Sequence, residues 1–311
     1  MNIRGNRPLI AHLSMFAACA GWGLMAPVGK EAMAHGIDGF DMVAFRVVGA
    51  AMLFWLTSLF TRHEHVPWRD KLLFIFAGLF GLVTNQCCFT IGLSITSPIN
   101  ASIVTTSMPI FAMLFAAMIL KEPITGKKAL GVLAGCSGAL ILILSSAAAV
   151  DSRAGELTGD LLCLGAQCSF ALYLSLFRSL VRRYTLFTIN KWMFLWASCM
   201  VLPITGSHVA RIQWTDVPVT TWCECAYVVV VGTFVCYILM MIGQKTLRPT
   251  VVSVYNYVQP MVSVVVSLTA GIAVFSWMHA LAVILVFSGV WLVTKSKSRA
   301  DALRDSASPR P

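Results

Sequence analysis

Charge is scarce in this 311-residue chain. Asp, Glu, Lys and Arg make up 12% of it against 58% hydrophobic residues, and its mean hydropathy is +0.80. So little polar surface cannot cover a soluble body, so the chain's solvent is mostly lipid. Acids are the rarer sign, 13 against 23 Lys plus Arg. They fall in loops, tails or at span ends, with Asp160 and Glu224 at the outer rim. No carboxylate is therefore evident at the membrane midplane, where a proton pump would titrate one. The Gly-x4-Gly-Lys-Ser/Thr phosphate loop is missing, which argues against ATP-driven pumping by this chain. Ten cysteines are present, almost all inside apolar runs, and no spacing among them demands a disulfide. Cys223-Glu224-Cys225 and His63-Glu64-His65 each lack the two further ligands of a closed metal site. His12 and His279 sit near the ends of apolar runs, so no span offers a nucleophile with its base. Neither enzymatic activity, a metal nor a resident cofactor is expected.

What is abundant is apolar sequence of membrane-spanning length. A span needs about 20 mainly apolar residues at 1.5 Å rise each. Ten are predicted, roughly at 9–29, 41–60, 72–93, 98–119, 128–147, 158–177, 189–207, 221–243, 250–271 and 277–294. The expected fold is an all-α polytopic membrane protein, its first span a retained signal-anchor, with a polar cytoplasmic tail over 295–311. With both termini cytoplasmic, 19 of the 23 Lys plus Arg lie inside and only Lys30, Arg153 and Arg211 outside, Arg46 being within a span. That bias follows the positive-inside rule and places the chain in the inner or plasma membrane. Those cations are divided among six separate cytoplasmic segments, so no nucleic-acid partner is expected.

The chain also repeats itself at an offset of 151 residues. Pro98 and Pro109 recur as Pro249 and Pro260; Gly81, Gly92, Ser102, Ala129, Ser137 and Gly138 return as Gly232, Gly243, Ser253, Ala280, Ser288 and Gly289. One unbroken offset over about 60 residues indicates a duplication. The halves are 1–147 and 158–294, five spans each. An odd number of crossings turns the second half upside down, the inverted-repeat architecture of alternating-access transporters.

In this setting the chain resembles EamA-type members of the drug/metabolite transporter superfamily, built as two five-span repeats. The residues that carry the likeness are Gly21-Trp22-Gly23, Phe45-Arg46, Pro98 through Met108-Pro109 to Lys121-Glu122-Pro123-Ile124-Thr125, Pro249 through Gln259-Pro260, and Ser288-Gly289. One departure stands out: Glu122 and Pro123 have Ala273 and Val274 at their repeat positions. The resemblance implies transport of metabolites, amino acids among them, often outward.

Pro109 and Pro260 lie 11 residues past Pro98 and Pro249, roughly 16 Å into the bilayer. A mid-helix proline frees the carbonyl four residues earlier, here those of Thr105 and Asn256, and such carbonyls must face protein or water. Pro109 and Pro260 are therefore the candidate hinges. The candidate cavity lining is Trp22, Asn85, Asn100, Thr105, Gln167, Tyr237, Tyr255, Asn256 and Gln259, because amides at membrane depth have an interior or functional role. Interhelical hydrogen bonding is the competing role for the amides. Arg46, five residues after Asp41, either snorkels outward to pair with Asp41, Asp38 or Glu31, or acts as a gating or anion-binding charge. Gly131 and Gly135 form a GxxxG pattern that suits close helix packing, within the monomer or across a dimer.

The function read from these residues is an alternating-access exporter of small organic metabolites, amino acids or amphipathic compounds, acting as monomer or homodimer in the lipid bilayer. The alternatives are a nucleotide-sugar or other organic-anion carrier, which needs more inward cations than Arg46 alone, and a non-transporting membrane receptor.

Overall fold

The computed structural model describes residues 7–61, 64–96, 101, 104–147, 157–269 and 277–297. Every regular element among them is helical. In chain order these are α1 (Arg7–Ala34), α2 (Gly39–Ser58), α3 (Trp68–Ile95), α4 (Met108–Leu120), α5 (Gly126–Ala147), α6 (Leu157–Leu176), the short α7 (Arg178–Arg183), α8 (Leu186–Val209) and α9 (Val219–Thr246). The last two are α10, made of Pro249–Val254, a 3-10 turn Tyr255–Tyr257 and Val258–Thr269, and α11 (Trp277–Thr294). The polar tail expected over 295–311 lies outside the described residues from 298 onward.

The duplication reappears in backbone geometry. Pro67 opens α3 and Pro218 opens α9 with nearly the same dihedrals, φ −58° and ψ 152° against φ −58° and ψ 147°. Each helix then passes through a π-helical stretch, Leu79–Val83 and Val230–Val235, starting at matched positions. Each ends in an extended residue, Thr96 or Leu247, whose N–H donates to Gly92 or Gly243 at 2.8 Å. Packing is exchanged between the copies: α1 lies on α9 and α10, while its counterpart α6 lies on α3 and α4. The pairs α2 with α8 and α5 with α11 join equivalent helices directly.

Six helices among the described residues are long and apolar enough to cross a membrane: α1, α2, α3, α6, α8 and α9. The outward side chains fit such a setting, for Phe60, Trp68, Met118 and Trp277 stand exposed with many other large apolar groups. The ten uninterrupted spans expected are not all present in that form. Met108–Leu120 is only 13 residues long and the segment over 250–271 is interrupted by a 3-10 turn, while Gly126–Ala147 and Trp277–Thr294 cover the segments predicted over 128–147 and 277–294 in full and border undescribed residues.

The two hinge prolines show why. A mid-helix kink was expected at each, but the chain breaks its helix just before the ring instead. Thr106 and Ser107 form a turn, and Pro109 falls in the first turn of α4, where its missing N–H costs no hydrogen bond. Pro260 likewise stands in the first turn of Val258–Thr269, directly after the 3-10 turn. A 3-10 stretch inside a helix marks a place where the chain can pivot.

The GxxxG stripe packs inside the molecule. A Cβ built on Gly289 of α11 would stand 2.6 Å from the Gly131 carbonyl oxygen and 2.7 Å from the Gly135 nitrogen of α5. Only bare backbone permits this approach. Gly289→Val should therefore lower unfolding stability by about 1–3 kcal/mol through overpacking, read as a reduced melting temperature in detergent; an unchanged melting temperature would show that α5 and α11 are not in close contact.

Candidate functional site

A cavity of about 60 Å³ lies at the centre of the bundle, where both halves meet. Helix α1 contributes Trp22 and Met25, and α2 contributes Arg46. From α3 come Asn85, Gln86 and Phe89; from α6, Gln167 and Phe170. Thr105, Tyr237, Asn256 and Gln259 close it from the segment before α4, from α9 and from α10.

Local sequence explains these placements. Gly23 lets α1 run against α10, because a Cβ there would lie 2.7 Å from the Gln259 carbonyl oxygen. Trp22, held between Gly21 and Gly23, is thereby driven into the centre. Its indole N–H donates to the Gly232 carbonyl at 2.9 Å, inside the π-helical stretch of α9 where the regular ladder is disturbed. The ring stands edge-on to Tyr237, 5.8 Å away at 74°.

Polar contacts tie the halves together across the cavity. Gln86 donates to the Tyr237 hydroxyl at 2.8 Å, and these two residues are 151 apart, each the repeat counterpart of the other. Residues that touch their own counterparts sit on the axis relating the copies. The Asn256 amide donates to the Met108 sulfur at 2.7 Å and accepts from Gln259 at 3.1 Å, so the two helix breaks meet here. Asn85 lines the cavity while donating to the Ala166 carbonyl at 3.0 Å, combining the lining and packing roles.

Arg46 does not snorkel. It is 4% exposed, and its guanidinium donates to the hydroxyls of Thr90 at 3.1 Å and Thr233 at 3.3 Å. None of the ion pairs among the described residues includes it. Asp41, five residues earlier, points about 140° around the helix from Arg46, and instead caps α2 in a reciprocal pair with Asp38.

Of the other lining residues expected, Tyr255 is absent from this cavity. Its hydroxyl pairs with His12 at 2.7 Å in a separate groove beside α11, because it precedes Asn256 by about 100° of helical rotation. Asn100 lies outside the described residues. Met25, Phe89 and Phe170 join the lining as apolar residues that carry no mark in the sequence; Gln86 does carry one, as an amide at membrane depth beside Asn85.

Chemically the cavity offers neutral amides, aromatic faces and one cation. Among the described residues no cluster of three or more His, Cys, Asp or Glu could hold a metal ion. An EamA-like transporter family model matches residues 9–144 and 157–295. The chain belongs to the EamA-like transporter family. It is a multi-pass membrane protein and a membrane transporter. Two Bacillus subtilis (strain 168) proteins are similar to it. "Uncharacterized transporter YyaM" is 23% identical over 236 residues, covering 74% of this chain and 77% of that one. "Uncharacterized transporter YetK" is 21% identical over 294 residues, covering 94% and 89%. A solved structure described only as "Crystal structure of protein" shares the fold with TM-score 0.71 at 19% identity, over 92% of this chain and 98% of that one.

The two ends of this EamA-like transporter differ. At the end carrying α7, Lys121 adopts a left-handed φ of 52° and turns Glu122 inward. Glu122 is buried between Lys128 at 3.2 Å and Arg178 at 3.3 Å, joining the first half to the second. Asp70 joins Arg183 at 2.7 Å and accepts from the Tyr184 hydroxyl, while Glu64 accepts from the Thr185 N–H at 2.9 Å and its hydroxyl at 2.8 Å. Burial, then the nearby Asp70, raises the Tyr184 phenol above its ordinary value. The opposite end opens instead into a cavity of about 840 Å³ lined by Asp38, Asp41, His208, Arg211 and Asp216 among others. There the His208 ring meets the Asp38 carboxylate at 2.8 Å and stacks on Phe40. The Glu122 motif and α7 thus have a structural role that the sequence left unassigned.

Trp22→Phe keeps the aromatic face but removes the donor to Gly232. The expected result is a loss of about 1–3 kcal/mol in unfolding stability from an unpaired buried carbonyl, measured by thermal melting in detergent. No loss would mean that the π-helical carbonyl finds another partner.

Proposed function

We propose that this chain exports a small organic metabolite across the cell membrane by alternating access, its two halves inverted and rocking about the central cavity. The observation that carries the reading is the Gln86 to Tyr237 contact, which sets the cavity at the meeting point of the two repeats. A binding site on the axis between inverted halves is reached from either side by equivalent motions. The cavity's about 60 Å³ is far below the roughly 300–1,000 Å³ of ordinary ligand sites. A metabolite therefore enters only when the halves separate. The breaks before Pro109 and Pro260 supply places for that motion.

The cationic end, closed by the Glu122 and Asp70 networks, is assigned to the cytoplasm with both termini, and the 840 Å³ vestibule to the outside. The substrate class is amino acids or amphipathic metabolites; Arg46 is the single cation among the lining residues, too few for polyanions. Polyanionic nucleotide sugars are accordingly disfavoured.

Two measurements bear on this. Purified protein in liposomes should show saturable counterflow of a labelled metabolite from a panel of amino acids and small amphipathic compounds, reduced by Asn256→Ala; folded protein without flux for any compound contradicts the reading. Separately, Glu122→Gln leaves the buried Lys128 and the half-buried Arg178 without a counter-charge, which destabilises the closed end by about 3–5 kcal/mol. Hydrogen exchange should then rise around residues 244–254 and fall around 36–41 and 208–217, as one end opens and the other shuts. Exchange rising at both ends would point to general loosening and contradict coupled gates.

A further inference from the structure

The buried guanidinium of Arg46 is a charge without a counter-charge among the described residues. It lies 96% out of contact with solvent at the centre of the bundle, and two of its five N–H groups are used, on Thr90 and Thr233. The remaining three have no protein acceptor among the described residues, and no carboxylate is among the residues lining the cavity. A cation in a low-dielectric site is costly unless paired, and a planar guanidinium with free N–H groups matches a carboxylate in a two-point contact. Threonine hydroxyls orient the fork without neutralising it.

We infer that the transported molecule carries one carboxylate and binds with that group on Arg46. The inference rests on the transport reading of this cavity and narrows it. No acid is among the described lining residues to receive an ammonium group, so the carboxylate is the charged determinant and an ammonium is dispensable. The rest of the molecule meets Trp22, Phe89, Phe170 and Tyr237, which suits an apolar or aromatic body, while the Asn85, Gln86 and Gln259 amides take any neutral polar substituent. A second anionic group would find no cation.

The test pairs carboxylates with neutral isosteres: benzoate with benzamide, 3-phenylpropanoate with 3-phenylpropanamide, and 4-methyl-2-oxopentanoate with its amide. Thermal stabilisation and affinity are measured on the full-length protein in detergent. At least one carboxylate should stabilise the wild type while its amide does not, and Arg46→Met should weaken that carboxylate by about thirty-fold or more. Arg46→Lys, which keeps the charge and loses the fork, should fall between them. Without any ligand, Arg46→Met should melt no lower than the wild type, since it removes an unpaired buried charge at similar volume. Equal binding of amide and carboxylate, retained affinity in Arg46→Met, failure of every carboxylate to stabilise the wild type, or a sharp drop in melting for ligand-free Arg46→Met would each overturn the assignment. Counterflow separates the two levels: a carboxylate that binds through Arg46 without crossing the membrane refutes transport of it and leaves the site. Flux unchanged by Arg46→Met refutes the site and leaves transport.

Discussion

A backbone carbonyl without a hydrogen-bond partner costs several kcal/mol in hydrocarbon, and the structure is organised around that constraint. The chain departs from regular α-helix at Leu79–Val83, at Thr106–Ser107, at Val230–Val235 and at Tyr255–Tyr257. Three of the four departures are served by side chains of the protein itself. Ser169 of α6 donates to the Phe80 carbonyl at 2.7 Å, Trp22 of α1 to that of Gly232, and Thr233 to that of Val228 at 2.8 Å. At the break before α4, Ser107 satisfies the Val104 carbonyl through both its N–H and its hydroxyl. Helix interruptions that lipid would punish are thus collected where the two halves face each other, and one of the side chains that serves them, Trp22, also lines the cavity.

Duplication makes this arrangement reciprocal. The first helix of each half serves the π-helical stretch of the other: α6 leans on Gly81 through Tyr173, and α1 meets Gly232 through Trp22 and Met25. Neither half completes its own interior. Interfaces built of exchanged parts shift between discrete packings, because a close-packed core does not deform continuously. The present packing has one end tied by Glu122 and Asp70 and the other open around His208 and Asp38, so the two ends already sit in unlike states.

The sequence made the centre legible and the periphery less so. The 151-residue offset, the amides at membrane depth and the paired prolines together located the cavity, because polar groups in lipid leave few alternatives. Helix rotation was the weak point. Tyr255 and Asn256 are neighbours in sequence, yet one turns to His12 and the other to the cavity, and a stripe of polar residues with a 3-10 turn in it does not reveal its own phase. The proximity of Asp41 to Arg46 along the chain suggested a pair that helical geometry forbids. The α7 network is hidden for a different reason: Arg178, Arg183 and Tyr184 form no sequence motif, and it is the left-handed turn at Lys121 that brings Glu122 inward beside Arg178.

The central claim is that the two ends open in alternation about a shared site, and distances across both ends in the same sample test it most directly. Spin labels at Gly36 and Arg211 report on the vestibule, and labels at Arg69 and Arg182 report on the opposite end; all four positions are exposed. Measured by pulsed dipolar spectroscopy in lipid nanodiscs, with and without a bound carboxylate, the account predicts two populations in which one distance lengthens as the other shortens. Distances that stay fixed at both ends, or lengthen together, would contradict alternating access.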